Sequence, residues 1–506
     1  MKQLFITLLF ILIILSVFAQ SDIKVTYIDT VMGKNLISNS DIHASKYVFP
    51  DRINETSLDT VSNLMTIQLR DLTWNEKYLT RTGHILLYDL GNKQVKWSKK
   101  LNYSMEKIHQ QGDMIIRTQN NTSYCMNYEN GEDKWKIQNR IYIVDAKHKI
   151  GIGYDTKGFE KPIYTLQGID LNTGTVLWDK TLSNMFSWDN NHIYKLEGVL
   201  HFNDSVPIAV INGLHAMNVK TGKGWDYDAW TGRYDFWWKG NISNQTSNIL
   251  IDSTDIYWAT KDNLTRINRN GNIEWGQPLP GDLTSKSTIF KRDSLLYMVN
   301  QGWGISEPKL NDYRQTTEGK PYIASFSLKT GLQKFLTTIG EKKDEINDVK
   351  VKKDTVFLAF KNKISKYALK DASLIFEKKL ELDSLKELIS FVNRLVYLKS
   401  DDTFKRLETI DSTNLYIWTG KDKVIEVNAT HGVMDVFDAK QFYYLYLQTK
   451  DYRFIAKETE TIVLDKADKI VATFQASSNA KLIGSRLYDN QKQNLVIIDL
   501  TDLIKR

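Results

Sequence analysis

Cysteine is almost missing from this chain. Its 506 residues include one, Cys125, so no intramolecular disulfide braces the fold, and a chain of this length is long enough to depend on its core instead. A lipid anchor on a cysteine at an export cleavage point is excluded too, because Cys125 lies far inside the chain. Proline is scarce at 7, and no low-complexity tract or long block of like charge occurs; the compositions that keep chains disordered are therefore absent. The 8 histidines are dispersed, with no His-Glu-x-x-His spacing, so a zinc enzyme is not expected. Gly-x-Ser-x-Gly and Walker-type loops are also lacking, which removes the usual signatures of serine hydrolases and nucleotide hydrolases. Gly151-Ile-Gly153 has no third glycine and no helical pattern after it, and reads as a strand turn.

Apolar runs are short except at the start. Met1 and Lys2 precede a run from Leu4 to Phe18, the pattern of a secretory signal peptide; the run is shorter than the roughly 20 residues a bilayer span requires. Val17 and Ala19 place small or apolar residues before Gln20, so a signal peptide over 1–19 and a mature chain of 20–506 are expected. The implied location is periplasmic or extracellular, and the Lys, Asn and Ile richness looks bacterial. Net charge is +7 from 67 Lys and Arg against 60 Asp and Glu, scattered without a basic stripe, so no nucleic-acid partner is expected. Sequons such as Asn54, Asn102, Asn241 and Asn263 suit exposed loops and carry glycans only in a glycosylating host.

What the chain has in quantity is a repeat: an apolar strand ending in Asp or Asn, a turn built on Thr-Gly or Asn-Gly, then a strand carrying an aromatic residue. The clearest copy runs Gly168-Ile-Asp170-Leu-Asn172-Thr173-Gly174-Thr-Val-Leu-Trp178. Others end at Trp97, Trp135, Trp225, Trp275 and Phe335, with weaker copies ending at Phe376, Phe437 and Phe474. The strong copies step by 38, 43, 47, 50 and 60 residues, close to the roughly 40 to 50 residues of a four-stranded propeller blade. Glycine in the turn supplies the positive φ that a tight hairpin needs. Strands upstream of most copies, among them Asp113–Thr118, Asp255–Thr260, Leu295–Asn300 and Thr355–Phe360, complete four per unit. Leu382–Leu398 has some helical period, although from Phe391 it reads equally well as a strand. The expected fold is all-β, a single propeller domain of four-stranded blades. The expected blade count is eight, within a range of seven to ten. The repeated aromatics are expected to wedge between adjacent sheets, and residues 20–60 to supply an outer strand that closes the ring against Leu495–Leu500.

The phrase Asp-x-x-Thr-Gly-x-x-x-Trp from Asp170 to Trp178 resembles the repeat of pyrroloquinoline-quinone-like propellers, a family that holds quinoprotein dehydrogenases and the noncatalytic propeller of the outer-membrane protein assembly machinery. The resemblance covers most of Asp89 to Phe335 and thins over Lys366 to Phe474. In the family's enzymes it implies a vicinal cysteine pair, a calcium ion and an aspartate base, and this chain has no adjacent cysteines and no Cys-x-x-Cys-His. No catalytic residue is carried over. Asp170, Gly174, Trp97, Trp135, Trp178, Trp225 and Trp275 are assigned to the structural repeat. One cluster stands apart from it, from Gly224 to Gly240, where Trp230, Tyr234, Trp237 and Trp238 are candidate ligand-binding residues together with Trp303. Aromatic loops of this kind stack on sugars or anchor a protein partner, and they equally fill an enlarged blade interface. The expected function is a secreted, monomeric, noncatalytic propeller that binds a protein or glycan and has neither metal nor cofactor. The alternative is a divergent dehydrogenase using pyrroloquinoline quinone with calcium.

Overall fold

A computed structural model describes residues 23–155, 165–181, 199–201, 207–210, 214–227, 246–252, 255–268, 270–302, 304–310, 313–317, 319–342, 344–381, 386–392, 396–400, 403–407 and 414–504. The expected signal peptide lies outside them.

Strand follows strand along the chain. The first six are β1 (Thr26–Asn35), β2 (Ser40–Val48), β3 (Ile53–Asp59), β4 (Leu64–Leu69), β5 (Thr82–Asp89) and β6 (Gln94–Asn102). β3 to β6 make an antiparallel meander, and the same four-stranded arrangement recurs over 106–137, 139–181, 199–227, 250–278, 287–338, 346–379 and 388–438. Those are eight separate four-stranded sheets, and a larger sheet contains two further groups of four, one over 442–475 and one that joins 481–499 to β2. Among the described residues ten four-stranded groups are present, at the top of the range expected from the repeat and above the expected count of eight. The fold class is the all-β, multi-blade propeller class. Leu388–Phe391 and Val396–Ser400 are strands, which resolves the ambiguous Leu382–Leu398 segment in favour of β wherever it is described. Helix among the described residues is limited to Thr501–Ile504 and a 3-10 turn at Ala439–Gln441.

Burial explains why these segments are strands. All six residues of β4, Leu-Met-Thr-Ile-Gln-Leu, are buried, so both faces of an inner strand pack against neighbours. Outer strands such as β6 alternate with exposed positions, and the repeat aromatic sits at one of the buried ones.

The chain forms two compact units. One comprises Met1–Lys161, Gln167–Leu177 and Tyr446–Arg506; the other comprises Pro162–Leu166 and Trp178–Leu445. In the first, the two ends of the chain share a sheet: β2 pairs with Asn494–Asp499 from Ala44↔Ile498 to Val48↔Asn494. β1 covers β2 and reaches the strand Ile470–Gln475 over Gly33, Lys34 and Asn35. Gly33 is needed there because a Cβ would stand 2.0 Å from the Thr473 carbonyl oxygen. Two apolar clusters fill the sheet's faces, one on Phe454, Val463, Leu487 and Val496, the other on Tyr47, Ile67, Tyr88 and Leu495.

The repeat tryptophans join one sheet to the next in a single geometry. Trp97 Nε1 donates to the Tyr128 carbonyl at 2.8 Å, Trp135 to Leu171 at 3.0 Å, Trp178 to Val219 at 2.7 Å and Trp275 to Leu328 at 3.0 Å. Each acceptor lies one residue after the Asp, Asn or Ser that opens the next repeat's turn. The indole face lies against that turn's glycine: a Cβ on Gly131, Gly174, Gly222 or Gly331 would sit 2.5 to 2.7 Å from the ring. All four glycines have φ between +66° and +76°. Asp170 shapes its turn by accepting from the Asn172 N–H at 2.8 Å, an Asx turn, and Gly174 N–H returns to the Asp170 carbonyl at 2.7 Å. Trp225 lies in the strand Gly224–Tyr227.

Glycine therefore meets two demands in these turns, and a comparison separates them. Gly112 also has positive φ, at +58°, but nothing lies within 4 Å of its missing Cβ. Gly112→Ala is expected to cost about 1 kcal/mol through backbone strain alone. Gly131→Ala adds overlap with Trp97 and is expected to cost roughly 2–4 kcal/mol. Urea denaturation of the two variants checks this, and equal midpoints would show that the ring does not press on the turn.

Candidate functional site

The aromatic residues singled out for binding, Trp230, Tyr234, Trp237, Trp238 and Trp303, all lie outside the described residues. The repeat residues Trp97, Trp135, Trp178 and Trp275 are committed to the inter-sheet contacts above. Two other features have the geometry of binding sites.

The first is a hairpin between β4 and β5. Its sequence, Asp71-Leu-Thr-Trp-Asn-Glu-Lys-Tyr-Leu-Thr80, breaks the apolar strand pattern with turn-forming polar residues. Leu72 and Leu79 face each other across it. Thr73 N–H donates to the Tyr78 carbonyl at 2.7 Å, Glu76 N–H to the Thr73 carbonyl at 2.7 Å, and Thr80 N–H to the Asp71 carbonyl at 2.8 Å. Thr73 Oγ1 donates to Asn75 Oδ1 at 2.7 Å, and Arg70 Nε braces the base by donating to the Thr80 carbonyl at 2.6 Å. On this frame Trp74 is 96% exposed and Tyr78 69%. Folding buries neither ring, yet their backbone is held by a closed set of hydrogen bonds.

The second is a cavity of about 390 Å³ in the unit that contains both chain ends. Its floor is the sheet of β1, β2 and Asn494–Asp499, with Ala44, Tyr47 and Ile497; Asn63, Leu90, Gly91 and Lys93, from the turns after β3 and β5, wall it in. Asp29, His43, Arg486 and Asp499 place charged or titratable groups at the rim. Arg486 and Asp499 are direct cross-strand partners. The Tyr27 hydroxyl bonds Asp29, and Lys93 Nζ stands 3.4 Å over the Tyr27 ring, a cation–π contact. Burial pushes the Tyr47 phenol up to about 12, with Tyr27 and Asp29 adding to the rise and Arg486 opposing it. Tyr47 is therefore a neutral hydrogen-bonding group at ordinary pH.

Buried charges elsewhere are engaged structurally. Arg117 reaches Glu106 at 2.7 Å and Asp133 at 2.7 Å and lies over Tyr124. Arg266 reaches Asp255 at 3.0 Å and the Leu328 carbonyl at 2.8 Å. Among the described residues no three His, Cys, Asp or Glu side chains are grouped to hold a metal ion. No helix among them is long and apolar enough to cross a membrane.

Neither feature was picked out from the sequence. Trp74 carries one available signal, a tryptophan outside the repeat and among turn-forming residues. The cavity draws on six segments separated by up to several hundred residues and has no local signature.

No family model matches the chain, and no curated protein matches it. Solved structures do. The computationally designed Ika8 protein is 10% identical, covering 77% of this chain and 97% of its own at a TM-score of 0.27. BamB from Moraxella catarrhalis is 11% identical, covering 78% and 96% at 0.24. The C-terminal WD40 domain of Sif2 is 10% identical, covering 81% and 98% at 0.29.

Proposed function

We propose that this chain is a noncatalytic binding propeller, exported through its N-terminal segment, that engages a protein or glycan partner as a monomer through aromatic side chains on its loops. The observation that carries this reading is the hairpin that holds Trp74 at 96% exposure on a hydrogen-bonded frame. A large ring on ordered backbone loses little conformational entropy when a partner covers it, and tryptophans of this kind dominate binding energies. Tyr78 adds a second amphipathic ring on the same hairpin. The sequence cluster of Trp230, Tyr234, Trp237 and Trp238, with Trp303, is assigned the same role by composition.

The test uses the full mature chain immobilised against a glycan panel and cell-envelope proteins, beside Trp74→Ala. Because Trp74 is exposed, the variant is expected to melt with the parent. A partner held by the parent is expected to bind the variant about 30-fold more weakly or worse. A partner held equally by both proteins would remove the hairpin from the binding surface, and turnover of a substrate by the parent would overturn the noncatalytic reading.

A further inference from the structure

We propose that the cavity between the N-terminal strands and the C-terminal strand binds a small polyhydroxylated anion, a sugar acid or sugar phosphate, with Arg486 as the anchoring cation. The site is distinct from the Trp74 hairpin and does not depend on the reading given to it.

The choice of ligand follows from which rim groups have partners. Asp29 accepts the Tyr27 hydroxyl, and Asp499 Oδ1 accepts the Thr501 N–H at 2.9 Å. The donors are less committed. Among the described residues, Arg486 makes no ion pair and no side-chain hydrogen bond within the chain, although it lies on a strand directly opposite Asp499. Lys93 touches the Tyr27 ring, a contact that leaves its ammonium protons available. A guanidinium stays charged at any relevant pH and presents a planar fork that matches a carboxylate or phosphate. The uncommitted chemistry of the rim is thus cationic.

The same residues disfavour a bare inorganic anion. Two carboxylates stand at the rim with the cations, and they repel an unaccompanied negative charge while offering oxygens that accept hydroxyl protons. Leu90 and Ile497 and the ring of Tyr47 line the cavity with buried, largely apolar surface, suited to the C–H face of a ring. At about 390 Å³ the space is within the range of sites for small organic ligands. Anion, hydroxyls and an apolar ring face are the features of an acidic or phosphorylated monosaccharide.

The test is calorimetric titration of the full mature chain with glucuronate, glucose 6-phosphate, glucose and inorganic phosphate, repeated on Arg486→Gln. Saturable binding of glucuronate identifies a carboxylate source for the anion, and of glucose 6-phosphate a phosphoester source; either supports the proposal if glucose binds at least about tenfold more weakly and Arg486→Gln loses about tenfold. Arg486 is exposed on its strand, so a melting temperature equal to the parent's is expected and separates lost binding from lost fold. Trp74→Ala is expected to bind the same ligand unchanged. Inorganic phosphate bound as tightly as the sugar derivatives, binding unaffected by Arg486→Gln, or no binding of either acidic sugar would overturn the assignment.

Discussion

Trp97→Ala is expected to destabilise the unit containing both chain ends by about 3–5 kcal/mol, and Trp97→Phe by roughly half of that. The alanine variant empties a site that is 7% exposed and lined by Ile85, Leu87, Ile115 and Met126. It also leaves the Tyr128 carbonyl without the indole donor at 2.8 Å. The phenyl ring restores most of the volume but not the N–H, so the difference between the two variants isolates the hydrogen bond, worth about 1 kcal/mol, together with the shape of the larger ring. Guanidinium unfolding followed by tryptophan-independent far-ultraviolet circular dichroism gives the comparison. If Trp97→Ala unfolds within about 1 kcal/mol of the parent, the indole is not a principal tie between its sheet and the next.

That contact also shows why the repeat was legible early in the chain and blurred later. Trp-to-glycine docking imposes two residue identities, a tryptophan in one repeat and a glycine in the turn of the next, so copies built on it stand out in the sequence. Where the aromatic is Phe335, the partner position is Ala372, itself at φ 56°, and the two share one apolar cluster. A phenyl ring donates no hydrogen bond, and the next turn need not keep glycine. Phe376 packs at 6.3 Å against Phe357 of its own sheet, and Gly432 of the following repeat meets the Lys378 side chain instead of a ring. The late sheets remain four-stranded, but nothing in them demands the indole–glycine pair, and the pattern fades with that demand.

The candidate sites were legible to a much smaller degree, for a related reason. A repeat announces itself by recurrence, whereas Trp74 occurs once, in an excursion between two strands whose own pattern is regular. The cavity is assembled from Asp29, His43, Lys93 and Arg486, brought together by pairing between the two chain ends. A polar or charged side chain at each of those positions reads as an ordinary solvated residue until the register of β2 against Asn494–Asp499 is known.

The same register makes the C-terminus indispensable. Removing residues 490–506 is expected to abolish cooperative folding of the unit that holds both ends of the chain. The deletion takes away Leu495, Val496 and Ile498, each at most 1% exposed, and Leu500 and Leu503 at 2%. At about 1.5–3 kcal/mol per buried side chain, the lost burial is on the order of 10 kcal/mol, comparable with the whole stability of a typical domain. It also strips β2 of its partner from Ala44 to Val48, leaving a long unpaired edge open to aggregation. Deleting 500–506 instead keeps the strand Asn494–Asp499 and its pairing while losing Leu500 and Leu503, so a folded protein with a lowered melting temperature is expected. Differential scanning calorimetry distinguishes the two variants: a cooperative transition for the longer deletion near that of the parent would mean that β2 and its neighbours hold together without the C-terminal strand.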